Sequence, residues 1–103
     1  MKVKNPSYPG GLERANQVRT CLNLIAQYQA GCQMTPPARA MAATMSRMVS
    51  QQELQDLCCY YNDGLTQKQI AVLTGRAQSS VSRTLRRGER NLDWALALTK
   101  SFL

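Results

Sequence analysis

Histidine is absent from this chain, and acidic residues are few. The 103 residues contain no His and 6 Asp or Glu against 13 Lys or Arg. The sequence therefore lacks the commonest general acid–base group and the commonest metal ligand. The six carboxylates are scattered without a paired constellation, and no phosphate loop of the GxxxxGK[ST] type occurs. We expect no enzymatic activity, no catalytic residue, no metal site and no cofactor.

Long apolar segments are also missing. No stretch approaches the roughly 20 apolar residues that a transmembrane helix needs. The first residues, MKVKNPSYPGG, contain no apolar signal-peptide core. We therefore expect a cytoplasmic protein without a membrane partner.

The cysteines do not have the spacing of zinc ligands. Structural zinc sites usually contain closely spaced CxxC-type pairs, and none occurs among Cys21, Cys32, Cys58 and Cys59. Four cysteines are enough for two disulfides, but the expected cytoplasmic location favours thiols. We predict that all four are reduced and act as small packing residues.

Positive charge is concentrated in one segment. The net charge is +7, and residues 66–90 hold six basic residues and one acidic residue, a net +5. An excess of this kind is an argument about partners, most often nucleic acid or an anionic membrane surface. The neighbouring residues must show which partner applies.

Apolar periodicity predicts an all-α protein of about six short helices. Residues 1–11, with two prolines and two glycines, are predicted to form a flexible arm. Residues 12–103 then form a single helical domain, which is at the small end of what folds alone. In it, residues 12–64 supply core and dimerisation helices, residues 65–90 supply two short helices joined at a glycine, and residues 91–103 form a C-terminal helix capped by Asn91.

Three amphipathic helices are predicted before the basic segment. Helix starts are indicated by Thr35 before a proline pair and by the capping-box pattern of Ser50 and Glu53. The residues expected to face inward are Ala15, Val18, Leu22 and Ile25, then Ala38, Met41, Ala42, Met45, Met48 and Val49, then Leu54, Leu57, Cys58 and Tyr61. We interpret the methionines as core or dimer packing, and the alternative is a protein-binding groove.

The start of the basic segment is strongly specified as a helix. Thr66 and Gln69 form a second capping box, and Leu65 and Ile70 have the spacing of a hydrophobic staple. Gly75 then supplies the positive φ of a tight turn. The inward residues of the two helices are predicted to be Ile70, Ala71, Leu73, Val81 and Leu85.

Residues 67–86, QKQIAVLTGRAQSSVSRTLR, resemble the helix-turn-helix of bacterial and phage repressors. The resemblance is carried by Ile70, Ala71, Gly75 and Val81 at the fourth, fifth, ninth and fifteenth positions of the motif. The sequence departs from the motif at Arg76, where an apolar residue is usual. The overall architecture, with the motif formed by the fourth and fifth of six helices, is similar to that of the tryptophan repressor family. That similarity implies an intertwined dimer whose core is supplied by the first three helices.

The resemblance implies which residues contact DNA. In the motif the second helix lies in the major groove of a DNA duplex. Base contacts then fall to Gln78, Ser79, Ser82 and Arg83, and phosphate contacts fall to Gln67, Lys68, Arg76, Ser80, Arg86, Arg87 and Arg90. The resemblance also pairs Gln67 with Gln78, one holding phosphate and steadying the other against a base.

The function predicted from the sequence is sequence-specific binding of double-stranded DNA by a homodimeric transcriptional regulator. Repression is expected because so small a protein has little spare surface for recruiting polymerase. Other phage or plasmid roles, such as a small terminase subunit, replication control or a sigma-like promoter element, use the same motif. A helical protein-binding adaptor is the alternative from another class. Nothing in the sequence indicates an operator or a small-molecule effector.

Overall fold

The computed structural model describes residues 10–99, and within this range the chain is all helical with no strand. The five α-helices are α1 (Gly11–Gln29), α2 (Pro36–Met48), α3 (Gln51–Leu57), α4 (Gln67–Thr74) and α5 (Gln78–Thr99), and a π-helical segment, Cys58–Asn62, continues α3. The all-α prediction is confirmed, but the count is five rather than six. Nearly all of the predicted arm lies outside the described residues; its last residue, Gly11, begins α1.

The predicted helix starts are present. The hydroxyl of Thr35 accepts the N–H of Ala38 at the start of α2. At α3, the Glu53 N–H donates to Ser50 Oγ and the Ser50 N–H donates to Glu53 Oε1, both at 3.1 Å. Such reciprocal bonds satisfy backbone donors that a helix leaves unpaired in its first turn. Short local patterns therefore determine where these helices begin.

A single chain buries the apolar faces of its first three helices. Val18, Leu22 and Ile25 of α1 and Met45 of α2 are 0–2% exposed, and they pack in one core with Leu57 and with residues of α4 and α5. Met41 and Met48 are partly buried against the same core. The interpretation of these three methionines as packing residues is confirmed.

The buried face of the third helix differs from the prediction. Leu57 and Tyr61 are buried as expected, but Leu54 and Cys58 are only partly buried, and Tyr60 joins the core. The inward face is rotated by one residue from the predicted one, since Glu53 and Asp56 are buried in α3 before the π-helical segment begins. Tyr60 and Tyr61 then lie side by side, with ring centroids 5.0 Å apart and nearly perpendicular planes.

The prediction of a separate C-terminal helix is wrong, because α5 continues without a break from Gln78 to Thr99. The Asn91 side chain does not begin a new helix but donates to Glu53 Oε1 of α3 at 3.0 Å. Gly88 lies where α5 passes α3, and a Cβ at this position would be 2.9 Å from Leu57 Cδ1 and 3.2 Å from Glu53 Cβ. The glycine thus serves close helix packing rather than a turn.

None of the helices in residues 10–99 is long and apolar enough to cross a membrane.

The four cysteines are free thiols, but they do not all pack in the core. Cys21 is buried, Cys58 and Cys59 are partly buried, and Cys32 is exposed, so the packing prediction is wrong for Cys32. Cys32 follows the left-handed Gly31, where the chain leaves α1 and has no helix to cover it. Burial raises the pKa of the Cys21, Cys58 and Cys59 thiols above the ordinary value, which disfavours the reactive thiolate.

Thiol reactivity should follow this order of exposure. In native protein at neutral pH, iodoacetamide should alkylate Cys32 about 100-fold faster than Cys21, because Cys21 reacts only after local opening of the fold. Mass spectrometry of proteolytic peptides at successive times gives the rates. In denaturant the two should react at similar rates, and equal rates in native protein would contradict the packing of α1.

Candidate nucleic-acid interface

The two helices of the basic segment are joined by a three-residue turn. The Thr66 hydroxyl accepts the Gln69 N–H at 3.1 Å, and the Gln69 side chain accepts the Thr66 N–H at 2.9 Å, so the predicted capping box begins α4. Gly75 ends α4 with φ 69°. The Arg76 N–H donates to the Ala71 carbonyl and the Gly75 N–H donates to the Val72 carbonyl. This pair of bonds is a Schellman motif, whose left-handed residue favours glycine.

One face of α4 is buried and the other is not. Ile70 and Ala71 face inward as predicted, whereas Leu73 is 68% exposed and that prediction is wrong. An eight-residue helix has only two turns, and α5 covers the side that carries Ile70 and Ala71, which leaves Val72 and Leu73 on the solvent side. With Leu65 and Gln69 they line a shallow apolar groove of about 490 Å³.

The two faces of α5 have opposite character. The core side carries Val81, Leu85 and Leu92, each at most 2% exposed. At about 100° per residue, the predicted DNA-contacting residues of α5 other than Ser80 and Arg87 fall within an arc of about 140° on the other side. Gln78, Ser79, Arg83, Arg86 and Arg90 are exposed, and Ser80 and Ser82 are half-buried.

Serine hydroxyl oxygens accept hydrogen bonds from two of the arginines along this face. The Arg86 guanidinium donates to Ser82 Oγ at 3.1 Å, and that of Arg83 donates to Ser80 Oγ at 3.4 Å. Both contacts join residues one turn apart on α5. They orient the cationic groups along the helix without neutralising their charge.

At the start of α4, Gln67 is half-buried and Lys68 is exposed. Both are on α4, the helix that precedes the turn, and so they do not belong to the exposed arc of α5. The paired action of Gln67 and Gln78 that the resemblance implies stays a prediction.

Arg76 is bound inside the protein. Its guanidinium forms an ion pair with Asp56, a carboxylate of α3 that is 0% exposed, and its Nε donates to Thr74 Oγ1 at 3.2 Å. The Arg76 side chain is 23% exposed. Its predicted contact with DNA phosphate is untested, and the structure shows a different partner for its charge.

Arg87 also has a partner on α3. Its Nε donates to Glu53 Oε2 at 2.9 Å, and Glu53 is 4% exposed. The sequence patterns identified Glu53 as a capping residue only, and they missed Asp56. A signal was present, since two acidic residues three positions apart share the helix face that carries Leu57. Acids placed on an inward face must be paired with cations.

The single acid of the basic segment is turned toward the core. Glu89 accepts a hydrogen bond from the Tyr61 hydroxyl at 2.7 Å. Burial, together with this bond, raises the pKa of Tyr61 far above its ordinary value, so the hydroxyl stays a donor at physiological pH. Among residues 10–99, Glu89 forms no ion pair with the arginines beside it on α5.

Of the cations in residues 66–90, four lack a carboxylate partner among residues 10–99: Lys68, Arg83, Arg86 and Arg90. We call these four residues the basic face. In the same part of the chain, no group of three or more Cys, Asp or Glu side chains is arranged to hold a metal ion. The chemistry available at this surface is thus the binding of anions by guanidinium and ammonium groups and hydrogen bonding by amides and hydroxyls.

No protein-family model matches this chain, and neither the curated proteins nor the solved structures compared with it include a match.

Proposed function

We propose that the protein is a sequence-specific regulator of transcription that binds double-stranded DNA, with the first half of α5 in the major groove. The observation that carries the proposal is the exposed polar and basic arc of α5, backed by a wholly buried opposite face. A helix presented in this way fits the major groove, which is about 12 Å wide. A cytoplasmic location and repression by occupancy of a promoter belong to the same proposal.

Base recognition falls to the exposed residues at the start of α5. Arg83 offers the two parallel donors that guanine O6 and N7 accept, and Gln78 offers the donor and acceptor that match adenine N6 and N7. Ser79 and Ser82 provide short hydroxyl contacts on the same arc. Each good bidentate pair gives about 1–3 kcal/mol of discrimination between bases.

Phosphate binding falls first to Lys68, Arg86 and Arg90 of the basic face. Cations that neutralise phosphates release counterions, so affinity falls as salt rises whatever the sequence. Gln67 and Ser80 are additional hydrogen-bonding groups near the same strand of DNA. This proposal assigns no phosphate contact to Arg76 or Arg87, because each is already paired with a buried carboxylate.

Salt dependence tests this division of roles. Arg90→Ala should reduce the slope of log K against log salt by about 0.9, the value of one lost phosphate contact. Arg39 is the matched control, since it lies on α2 against the Tyr28 ring, with its guanidinium carbon 5.6 Å from the ring centroid. Arg39→Ala removes the same charge and should leave the slope unchanged. Gel-shift titrations from about 50 to 200 mM salt measure both slopes.

The proposal that the protein binds DNA is tested by binding to mixed genomic fragments and by selection from a random DNA pool. Binding at about 50 mM salt and enrichment of a short inverted repeat are expected. Absence of binding at that salt would refute the DNA-binding proposal. Enrichment of no sequence would refute its specificity.

We propose that the protein acts as a homodimer. One module of this kind contacts only a few base pairs, and two copies on half-sites about 34–36 Å apart supply useful specificity. Since α1, α2 and α3 bury their apolar faces within one chain, the dimer need not be intertwined. Sedimentation of the protein alone and with a two-half-site duplex measures the assembly; large rings would favour the DNA-packaging role.

A protein-binding adaptor is the second candidate, and the groove on α4 is the observation that favours it. Val72 is 78% exposed and Leu73 is 68% exposed, which is unusual for neighbouring large apolar residues. The methionines are not the groove, because Met45 is fully buried. If the adaptor is the right function, Leu73→Ser should abolish binding to the partner protein, while loss of Arg83 and Arg90 should leave that binding intact.

A further inference from the structure

The ion pair between Asp56 and Arg76 lies at the point where α3 meets the turn before α5. Asp56 is completely buried, and a buried carboxylate is strongly unfavourable unless its oxygens are paired. Oδ1 accepts from Gln52 Nε2 at 3.2 Å, and Oδ2 accepts from the Arg76 guanidinium. The position of Arg76 is therefore tied to that of α3.

Arg76 is also fixed to α4. Its backbone N–H donates to the Ala71 carbonyl at 3.0 Å, and its Nε donates to Thr74 Oγ1, which itself donates to the Ile70 carbonyl at 2.7 Å. One side chain thus joins α3, α4 and the turn. Gln78, the first residue of α5, follows two positions later.

A second connection holds the middle of α5 to the same helix. Arg87 and Asn91 both donate to the Glu53 carboxylate, on either side of the close contact at Gly88. A rise of about 1.5 Å per residue puts Gln78 about 14 Å from Arg87. The buried face of α5 and the bonds to Glu53 hold the body of the helix, and the ion pair between Asp56 and Arg76 holds its entry turn.

We infer that the ion pair between Asp56 and Arg76 is a positioning element of the proposed DNA interface, one that determines discrimination between sequences rather than general affinity for DNA. The inference rests on the proposed function. Base contacts depend on side chains held within about 0.5 Å of the productive geometry. Without the ion pair, α5 keeps its attachment at Glu53, but residues 78–83 can move relative to α3.

The net charge of the ion pair distinguishes its positioning role from the phosphate-binding role of the basic face. The pair is neutral as a unit, so removing both partners leaves the net charge of the surface unchanged. Phosphate contacts made by Lys68, Arg86 and Arg90 stay in place, and counterion release stays the same. A loss of sequence discrimination at constant salt dependence is therefore the signature of positioning, and simple loss of charge does not produce it.

The test is the double variant Asp56→Leu with Arg76→Met, which replaces the pair with apolar groups of similar volume. Such replacements are often neutral or stabilising, so the variant should fold. Titrations against the selected site and against random DNA should show a ratio of affinities reduced at least about tenfold, with an unchanged salt slope. Thermal unfolding followed by circular dichroism reports the fold.

A matched control removes a different ion pair, the one that joins α1 to α5. Arg14 and Asp93 are 2.8 Å apart at the far half of that helix, where the Asp93 side chain is 54% exposed. Arg14→Gln with Asp93→Asn should leave the ratio of affinities unchanged. If the Asp56 and Arg76 double variant does not fold, Asp56→Asn with Arg76→Gln takes its place; it also leaves the net charge unchanged, and the same fall in the ratio is expected.

The outcomes are distinct. A folded variant that discriminates as well as wild type overturns the inference and leaves the proposed function standing. A variant that loses affinity for specific and random DNA equally also overturns it. Failure of the wild-type protein to bind any DNA at about 50 mM salt overturns the proposed function and the inference together.

Discussion

Replacing Gly88 with leucine should lower the free energy of unfolding by about 2 kcal/mol or more. A Cβ at this position lies 2.9 Å from Leu57 Cδ1 and 3.2 Å from Glu53 Cβ, and Leu57 is itself fully buried. Overpacking of such a contact typically costs about 1–3 kcal/mol, and the longer leucine also separates α5 from Glu53. The better helix propensity of leucine offsets less than about 1 kcal/mol of this.

Ala97→Leu is the control for that experiment. Ala97 is exposed on the same helix, so added apolar bulk there should change stability by no more than about 0.5 kcal/mol. For a domain of this size, the Gly88 variant should melt about 10 °C below wild type in thermal unfolding followed by circular dichroism. Equal melting temperatures would contradict the close packing of α5 on α3.

Arg83→Ala should reduce discrimination between the selected DNA site and random DNA by about 10- to 100-fold. The expected size follows from the roughly 1–3 kcal/mol of a bidentate contact with guanine. Arg83 is exposed, and its guanidinium is held by Ser80 alone among the described residues, so the substitution should not affect folding. Competition gel shifts with specific and random duplexes measure the ratio.

Comparison with Arg90→Ala makes this prediction specific. Arg90 is expected to contact phosphate, so its loss should weaken binding to both duplexes by a similar factor. Equal effects of the two substitutions on the ratio would show that Arg83 does not contact a base. The proposed orientation of α5 in the groove would then have to be abandoned.

Short-range patterns predicted the helix starts and the turn correctly. Ser50 with Glu53, and Thr66 with Gln69, form the expected capping boxes, and Gly75 has the expected positive φ. These features depend on residues three or four positions apart, so the sequence contains all the information that determines them. The buried residues of α1 also have the predicted spacing of three or four positions.

Predictions that depended on helix packing were less successful. Leu73 was assigned to the core from its spacing, but the short α4 has only one covered face. The chain was expected to begin a new helix at Asn91, whereas α5 continues because Glu53 and Leu57 support it there. Neither partner is within 30 residues of Asn91 in the sequence.

The sequence by itself determined an all-helical chain, the two capped helices around Gly75 and the concentration of positive charge. Only the tertiary structure decided which of those charges stay available. Arg76 and Arg87 are paired with Asp56 and Glu53, whereas Lys68, Arg83, Arg86 and Arg90 are exposed without a carboxylate partner among residues 10–99. The physical reason is that a capping box is a local hydrogen-bond pattern, whereas a buried carboxylate takes whichever cation the fold brings to it.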